Sequence, residues 1–146
     1  IGKAIPMREG SDALIVTTGV ALGGALQAAE TLSGLGIDAA VLHCPTVKPL
    51  DAEAILHYAA PARVIVSFEE QTVIGGLGSA VAEIVAEANF DPAKRFKRMG
   101  IPDVFPDRYG TQDSLMERYS LTSEGLVSTV IGLAEGQMVT RTSSAS

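Results

Sequence analysis

Glu69 and Glu70 stand side by side at the end of an apolar run, and Gly75, Gly76 and Gly78 follow shortly after. The whole stretch, VIVSFEEQTVIGGLGSAVAEIVAEA from Val64 to Ala88, reads as a strand, a glycine turn and an amphipathic helix. A glycine turn that opens a helix is a setting in which free backbone N–H groups bind an anion. The spacing departs from the dinucleotide fingerprint: counted from Gly76, a third glycine is needed where Val81 stands. The acidic residue that holds a ribose should follow such glycines by about 20 positions, whereas Glu69 and Glu70 precede them and would repel a phosphate. No G-K-[ST] follows either, so the turn is not a P-loop. The glycines therefore read first as a sharp corner with a closely packed helix start, with phosphate binding as the alternative.

Neighbouring strand side chains point to opposite faces, so Glu69 and Glu70 do not form a matched acid–base couple. One of them could face a crevice at the carboxyl end of the sheet, where ligands bind in open α/β folds. The plainer alternatives are two solvated carboxylates or a cap for the helix that begins at the glycines. His43 and Cys44 also end a strand-like run, IDAAVLH, but their side chains should diverge, and no second cysteine or spaced histidine completes a metal set. Cys44 reads as a small buried hydrophobe. Lys48, between Val47 and Pro49, lies in a loop and could meet a carboxylate or a partner subunit, with a plain surface lysine as the default. Thr17, Thr18 and Gly19 end another strand at the same edge. The chain shows no Ser–His–Asp set or nucleophile elbow.

The elements that must position these residues alternate. KAIPMREG is a short extended piece, and Pro6 confines it to a sheet edge. DALIVTTG, Asp12 to Gly19, is a continuous apolar run of the kind found in strands covered on both faces. Leu22, Leu26, Ala29 and Leu32 recur at helical spacing between Val20 and Leu35, and Gly34 and Gly36 stop that helix. Asp51 should cap a helix running from Ala52 to about Ala59. ARVIVSF is the next strand, and Phe96 to Ile101 another. Thr111 should cap a short helix from Gln112 to about Tyr119. Thr122 should cap a last one, with Leu121 and Leu126 as a hydrophobic staple, fading near Gly136. Strands alternating with helices predict one α/β domain over residues 1–136, three layers deep, with a disordered polar tail over 137–146.

The chain has 146 residues, 47% of them hydrophobic, and a formal charge of -6. That charge argues against a nucleic-acid surface. The one basic run, KRFKR from Lys94 to Arg98, reads as a solvated strand edge. A single cysteine, no apolar run near the roughly 20 residues of a membrane span and no signal-peptide pattern are read as a cytoplasmic protein with no membrane partner. The chain opens on Ile1 rather than Met, and the expectation is a piece of something longer.

Four segments in order resemble one family. VTTGVALGGALQAAETLSGLGIDAAVLHCPTVKPLD resembles the opening of the C-terminal domain of transketolase-type thiamine diphosphate enzymes. VSFEEQTVIGGLGSAVAEIVAE resembles that family's V-x-E-E-x-x-x-x-G-G-x-G-x-x-V run. RMGIPDVFPDRYG and LMERYSLTSEGLVSTV resemble its G-x-P-D-x-F segment and its Y-G-L-T-x-x-x-I helix. The match runs from about Lys3 to Ala134. It implies a three-layer α/β/α sandwich on a five-stranded, mostly parallel sheet with an antiparallel edge strand. It implies further that thiamine diphosphate and Mg are held by pyrimidine- and diphosphate-binding domains absent from this chain. On this reading the chain alone binds no cofactor, carries no catalytic residue and is inactive. It serves as the assembly domain of a homo-oligomer that moves a two-carbon ketol unit between sugar phosphates. Lys48, Glu69, Glu70, Gln71, Gly75, Gly76 and Gly78 are its candidates for an interface or crevice. Relatives often carry His where Gln71 stands, and Gln does no acid–base work near neutral pH. The same domain occurs in 1-deoxy-D-xylulose-5-phosphate synthase and in the beta subunit of 2-oxo acid dehydrogenases. A stand-alone dimerisation module is the alternative from another class.

Overall fold

The computed structural model describes residues 2–45, 47–72, 76–101, 117 and 121–145, without the side chains of 71, 72 and 137–145. Among them are five strands and four helices: β1 (Ile5–Arg8), β2 (Ala13–Thr17), α1 (Ala21–Gly34), β3 (Ala39–His43), α2 (Ala52–Ala59), β4 (Val64–Thr72), α3 (Leu77–Ala88), β5 (Arg95–Ile101) and α4 (Ser123–Ala145). The strands form one sheet in the order β1-β3-β2-β4-β5. β1 is antiparallel to β3, and the other pairs are parallel. The α/β/α sandwich with its antiparallel edge strand is the architecture the sequence implies. The expected helix from Gln112 to Tyr119 and its cap Thr111 lie outside the described residues, apart from Glu117.

Period-two alternation divides the core into two layers. Ala13 and Ile15 of β2, with Val64, Val66 and Phe68 of β4, pack against α1 and α4. Leu14 and Val16, with Ile65, pack on the other face against Ile55 and Ala59 of α2 and Leu77 and Val81 of α3. All five residues of β2 are buried, as expected for a strand covered twice.

The inward stripe of α1 differs from the leucine stripe expected. Ala21, Ala25, Ala28, Ala29 and Leu32 are buried, while Leu22 and Leu26 pack at the margin. Small residues bring the helix close to the sheet: a Cβ on Gly24 would lie 3.3 Å from the Phe68 ring. The leucines then cover the flank.

Caps behave largely as the sequence predicts. Asp51 Oδ1 accepts from Ala54 N at 3.2 Å, and its Oδ2 also accepts from Ala4 N at 2.9 Å. These two N–H bonds, Ala4 first, hold the Asp51 carboxyl below the usual aspartate range. Thr122 Oγ1 accepts from Gly125 N at 3.1 Å, and Leu121 and Leu126 are buried in one cluster. Helical backbone in α4 does not stop near Gly136 but runs to Ala145, into the segment read as a disordered tail. A lone glycine costs a helix only about 1 kcal/mol relative to alanine, which is too little to end it.

Pro6 lies on the edge strand β1, and KRFKR spans the start of the opposite edge, β5. Lys94, just before β5, is not merely solvated: its ammonium donates to Ala60 O at 3.0 Å and Ala62 O at 2.8 Å and sits over the Phe90 ring. The exposed large apolar side chains Ile5, Met7, Val20 and Leu35 lie on β1 and at the two ends of α1, not in one patch.

Candidate functional site

The sheet reverses its winding between β2 and β4: β3 lies on one side of β2 and β4 on the other. The carboxyl ends of those two strands form the topological switch point, the usual ligand crevice of an open α/β sheet. Thr17 ends β2 there, and its Oγ1 donates to Phe68 O of β4 at 2.8 Å. Glu69 and Glu70 come next along β4.

The two carboxylates serve opposite layers. Glu69 is 2% exposed and follows the α3 side of the strand. Its Oε2 accepts from Leu77 N at 2.8 Å and its Oε1 from Gly78 N at 3.2 Å. The N-cap position of α3 is Gly76, which has no side chain to offer, so the preceding strand supplies the acceptor for N–H groups that a helix start leaves unsatisfied. Glu70 follows the α1 side, and its Oε1 accepts from Val20 N at 3.4 Å. Val20 is the N-cap of α1 and likewise has no side-chain acceptor. The chain reaches it through Gly19, whose φ of 62° favours glycine. A Cβ on Gly19 would lie 2.7 Å from Glu70 Oε1. One strand end thus ties down the start of a helix on each face of the sheet, with negative charge at the positive end of each dipole.

Of the alternatives weighed for the pair, the cap holds for Glu69, and two solvated carboxylates do not. Burial raises the Glu69 pKa above the usual glutamate range; the N–H bonds from Gly78 and Leu77 and the charge of Arg98 oppose that rise without cancelling it.

Gly78 shows why the helix start needs glycine. A Cβ there would lie 2.8 Å from Ser67 Oγ and 2.9 Å from Arg98 Cγ. Arg98, across the sheet register from Ser67, lays its stem over this glycine and donates from Nη1 to Ser79 Oγ at 3.1 Å. Sequence reasoning missed Arg98 by treating its run as a solvated edge. The available signal was alternation within β5, which puts Arg98 on the same side as Phe96, packed against the α2–α3 layer.

The other candidates are not gathered here. Lys48 is exposed on the β3–α2 connection, and no hydrogen bond among the described residues joins it to the glutamates. Gln71 contributes backbone to β4, its side chain lies outside the description, and Gly75 lies outside it altogether. Cys44 is 1% exposed, and burial first, then the Asp51 carboxylate, push its thiol up to about 11. Because the thiolate is the nucleophile, iodoacetamide at pH 8 should alkylate the folded chain at least about a hundredfold more slowly than the denatured one. Equal rates would contradict the buried placement.

A family model described as "Transketolase, C-terminal domain" matches residues 2–126. The chain belongs to that family. This transketolase C-terminal domain is 44% identical over 127 residues to a 6-deoxy-6-sulfo-D-fructose transketolase subunit, SqwH, of Clostridium sp. strain MSTE9, covering 87% of this chain and 38% of the relative. It is 41% identical over 130 residues to 1-deoxy-D-xylulose-5-phosphate synthase of Syntrophotalea carbinolica, covering 89% of this chain and 20% of that enzyme. Among solved structures it resembles a split gene transketolase, an inactive beta4 tetramer, at 36% identity and a TM-score of 0.81, covering 90% of this chain and 42% of that one. The Campylobacter jejuni transketolase shares the fold with a TM-score of 0.67 at 14% identity, over 90% of this chain and 18% of that one. The domain therefore spans well under half the length of these relatives.

Proposed function

We propose that this transketolase C-terminal domain supplies architecture to a thiamine diphosphate-dependent enzyme that moves a two-carbon ketol unit between sugar phosphates. The reacting centre belongs to pyrimidine- and diphosphate-binding domains contributed by partner segments or subunits, and the assembly is an oligomer acting in the cytoplasm. The observation that carries this reading is the use of the switch point. The helix-start N–H groups that a diphosphate would need at α1 and α3 are turned to Glu70 and Glu69. A diphosphate placed there would displace two carboxylates of its own sign. The residues present therefore do not fit the cofactor. Among the described residues no group of three or more His, Cys, Asp or Glu side chains could hold a metal, and no helix is long and apolar enough to cross a membrane.

The split gene transketolase and the SqwH subunit support a transketolase. The synthase relatives, nearly as similar, favour a second reading in which the same scaffold serves 1-deoxy-D-xylulose-5-phosphate synthesis. Mixing the chain with the cofactor-binding domains encoded beside or upstream of it, followed by size-exclusion chromatography with light scattering, tests the assembly role. Co-elution in one stoichiometric complex is expected. Separate elution at micromolar concentrations would overturn it. The product then separates the two readings: a transferred ketol unit supports the first, and deoxyxylulose phosphate the second.

A further inference from the structure

At the far end of the sheet from Glu69 and Glu70, the described residues enclose a cavity of about 390 Å³. Ala13 and Val64, the first residues of β2 and β4, line it, as do Leu35 and Ile37 from the turn after α1 and Val130 and Ala134 of α4. The lining is thus largely apolar. Its volume lies near the low end of the roughly 300–1,000 Å³ typical of small-molecule sites. That favours a compact ligand over a nucleotide.

Three charged residues also line it: Asp12, Arg63 and Glu135. Arg63 and Glu135 form no ion pair among the described residues, where Arg8–Glu30 is the one recorded. Arg63 is engaged through its backbone, its N–H donating to Asp12 O and its carbonyl accepting from Arg95 N. Asp12 spends one carboxylate oxygen, Oδ2, on Asp38 N at 2.8 Å. An anionic ligand would find one cation but two carboxylates, and a purely cationic ligand would face the guanidinium. A ligand with both charges and an apolar body satisfies all three groups.

We propose that this cavity binds a free α-amino acid with a branched aliphatic side chain. Arg63 takes the carboxylate as a fork of donors. Glu135 and the remaining Asp12 oxygen take the ammonium. The side chain lies on Ala13 and Val64 between α1 and α4. This inference stands apart from the choice of catalytic partner.

Titration calorimetry of the 146-residue chain with L-leucine tests it, beside 4-methylpentanoate, which lacks the amine, and 3-methylbutylamine, which lacks the carboxylate. Saturable binding of leucine is expected, with each truncated analogue at least about tenfold weaker, since a hydrogen bond to a charged group contributes enough for that factor. Arg63→Gln should lower leucine affinity to about that of the amine. Arg63 is exposed, so the variant should fold, and circular dichroism checks that it does. No heat with leucine up to tens of millimolar, equal affinity for all three compounds, or unchanged leucine binding by a folded R63Q chain would each overturn the proposal.

Discussion

A Glu69→Ala chain should unfold with about 3 kcal/mol less stability than the parent, because truncation strands two buried N–H donors at roughly 1–3 kcal/mol each. Those donors are Leu77 N and Gly78 N, and Gly76 has no side chain that could replace the lost acceptor. Glu69→Gln keeps one acceptor oxygen and should lose less. The pair of variants also carries a pH signature. Burial raises the folded pKa of Glu69, so the folded chain binds its proton more tightly than the unfolded one. The ionised form is the penalised one. The advantage of the parent over Glu69→Gln should therefore be greatest in acid, shrink as pH rises from the ordinary glutamate range through the raised folded value, and stay flat above it. Urea unfolding of parent and variant across that range measures the gap. A gap that widens with rising pH would show that the hydrogen bonds outweigh burial.

Gly10→Ala should be as damaging for a different reason. A methyl group there would lie 2.4 Å from the carbonyl carbon of Ala39 and 2.5 Å from Ala40 N, both backbone atoms of β3. Unlike a side-chain tip, the strand cannot rotate away. The turn is also fixed on both sides. Asp12 N donates to Asp38 O at 2.8 Å, and Tyr58 Oη donates to Glu9 Oε1 at 3.0 Å. Relief would require lifting β1 from β3. The expected loss is about 3 kcal/mol, near the top of the usual range for overpacking. Thermal unfolding of G10A checks it, and a change below about 1 kcal/mol would mean that the turn yields more easily than its contacts indicate.

What the sequence made legible follows how far apart the interacting residues lie. Asp51 and Ala54 are three positions apart, and the cap could be read directly. The second bond of the same carboxylate, from Ala4, spans 47 positions and leaves no local pattern. Glu69 and Leu77 are separated by eight positions, so a cap for the helix after the glycines could be named among the alternatives. Glu70 and Val20 are 50 positions apart, and nothing near either residue announces the other. Strand alternation did say that the two glutamates face opposite ways. What each would meet depended on the order of strands. The alanine stripe of α1 escaped for a related reason: side-chain size points to the leucines, whereas close approach to Phe68 selects the small residues.

The central claim is that this transketolase C-terminal domain contributes structure and holds no reacting centre of its own. The most direct measurement is a coupled ketol-transfer assay of the purified chain with thiamine diphosphate, Mg and sugar phosphates, run alone and with its cofactor-binding partner domains. The account predicts turnover only in the mixture, and no saturable thiamine diphosphate binding by the chain alone. Ketol transfer, or stoichiometric cofactor binding, by the chain without its partners would contradict it.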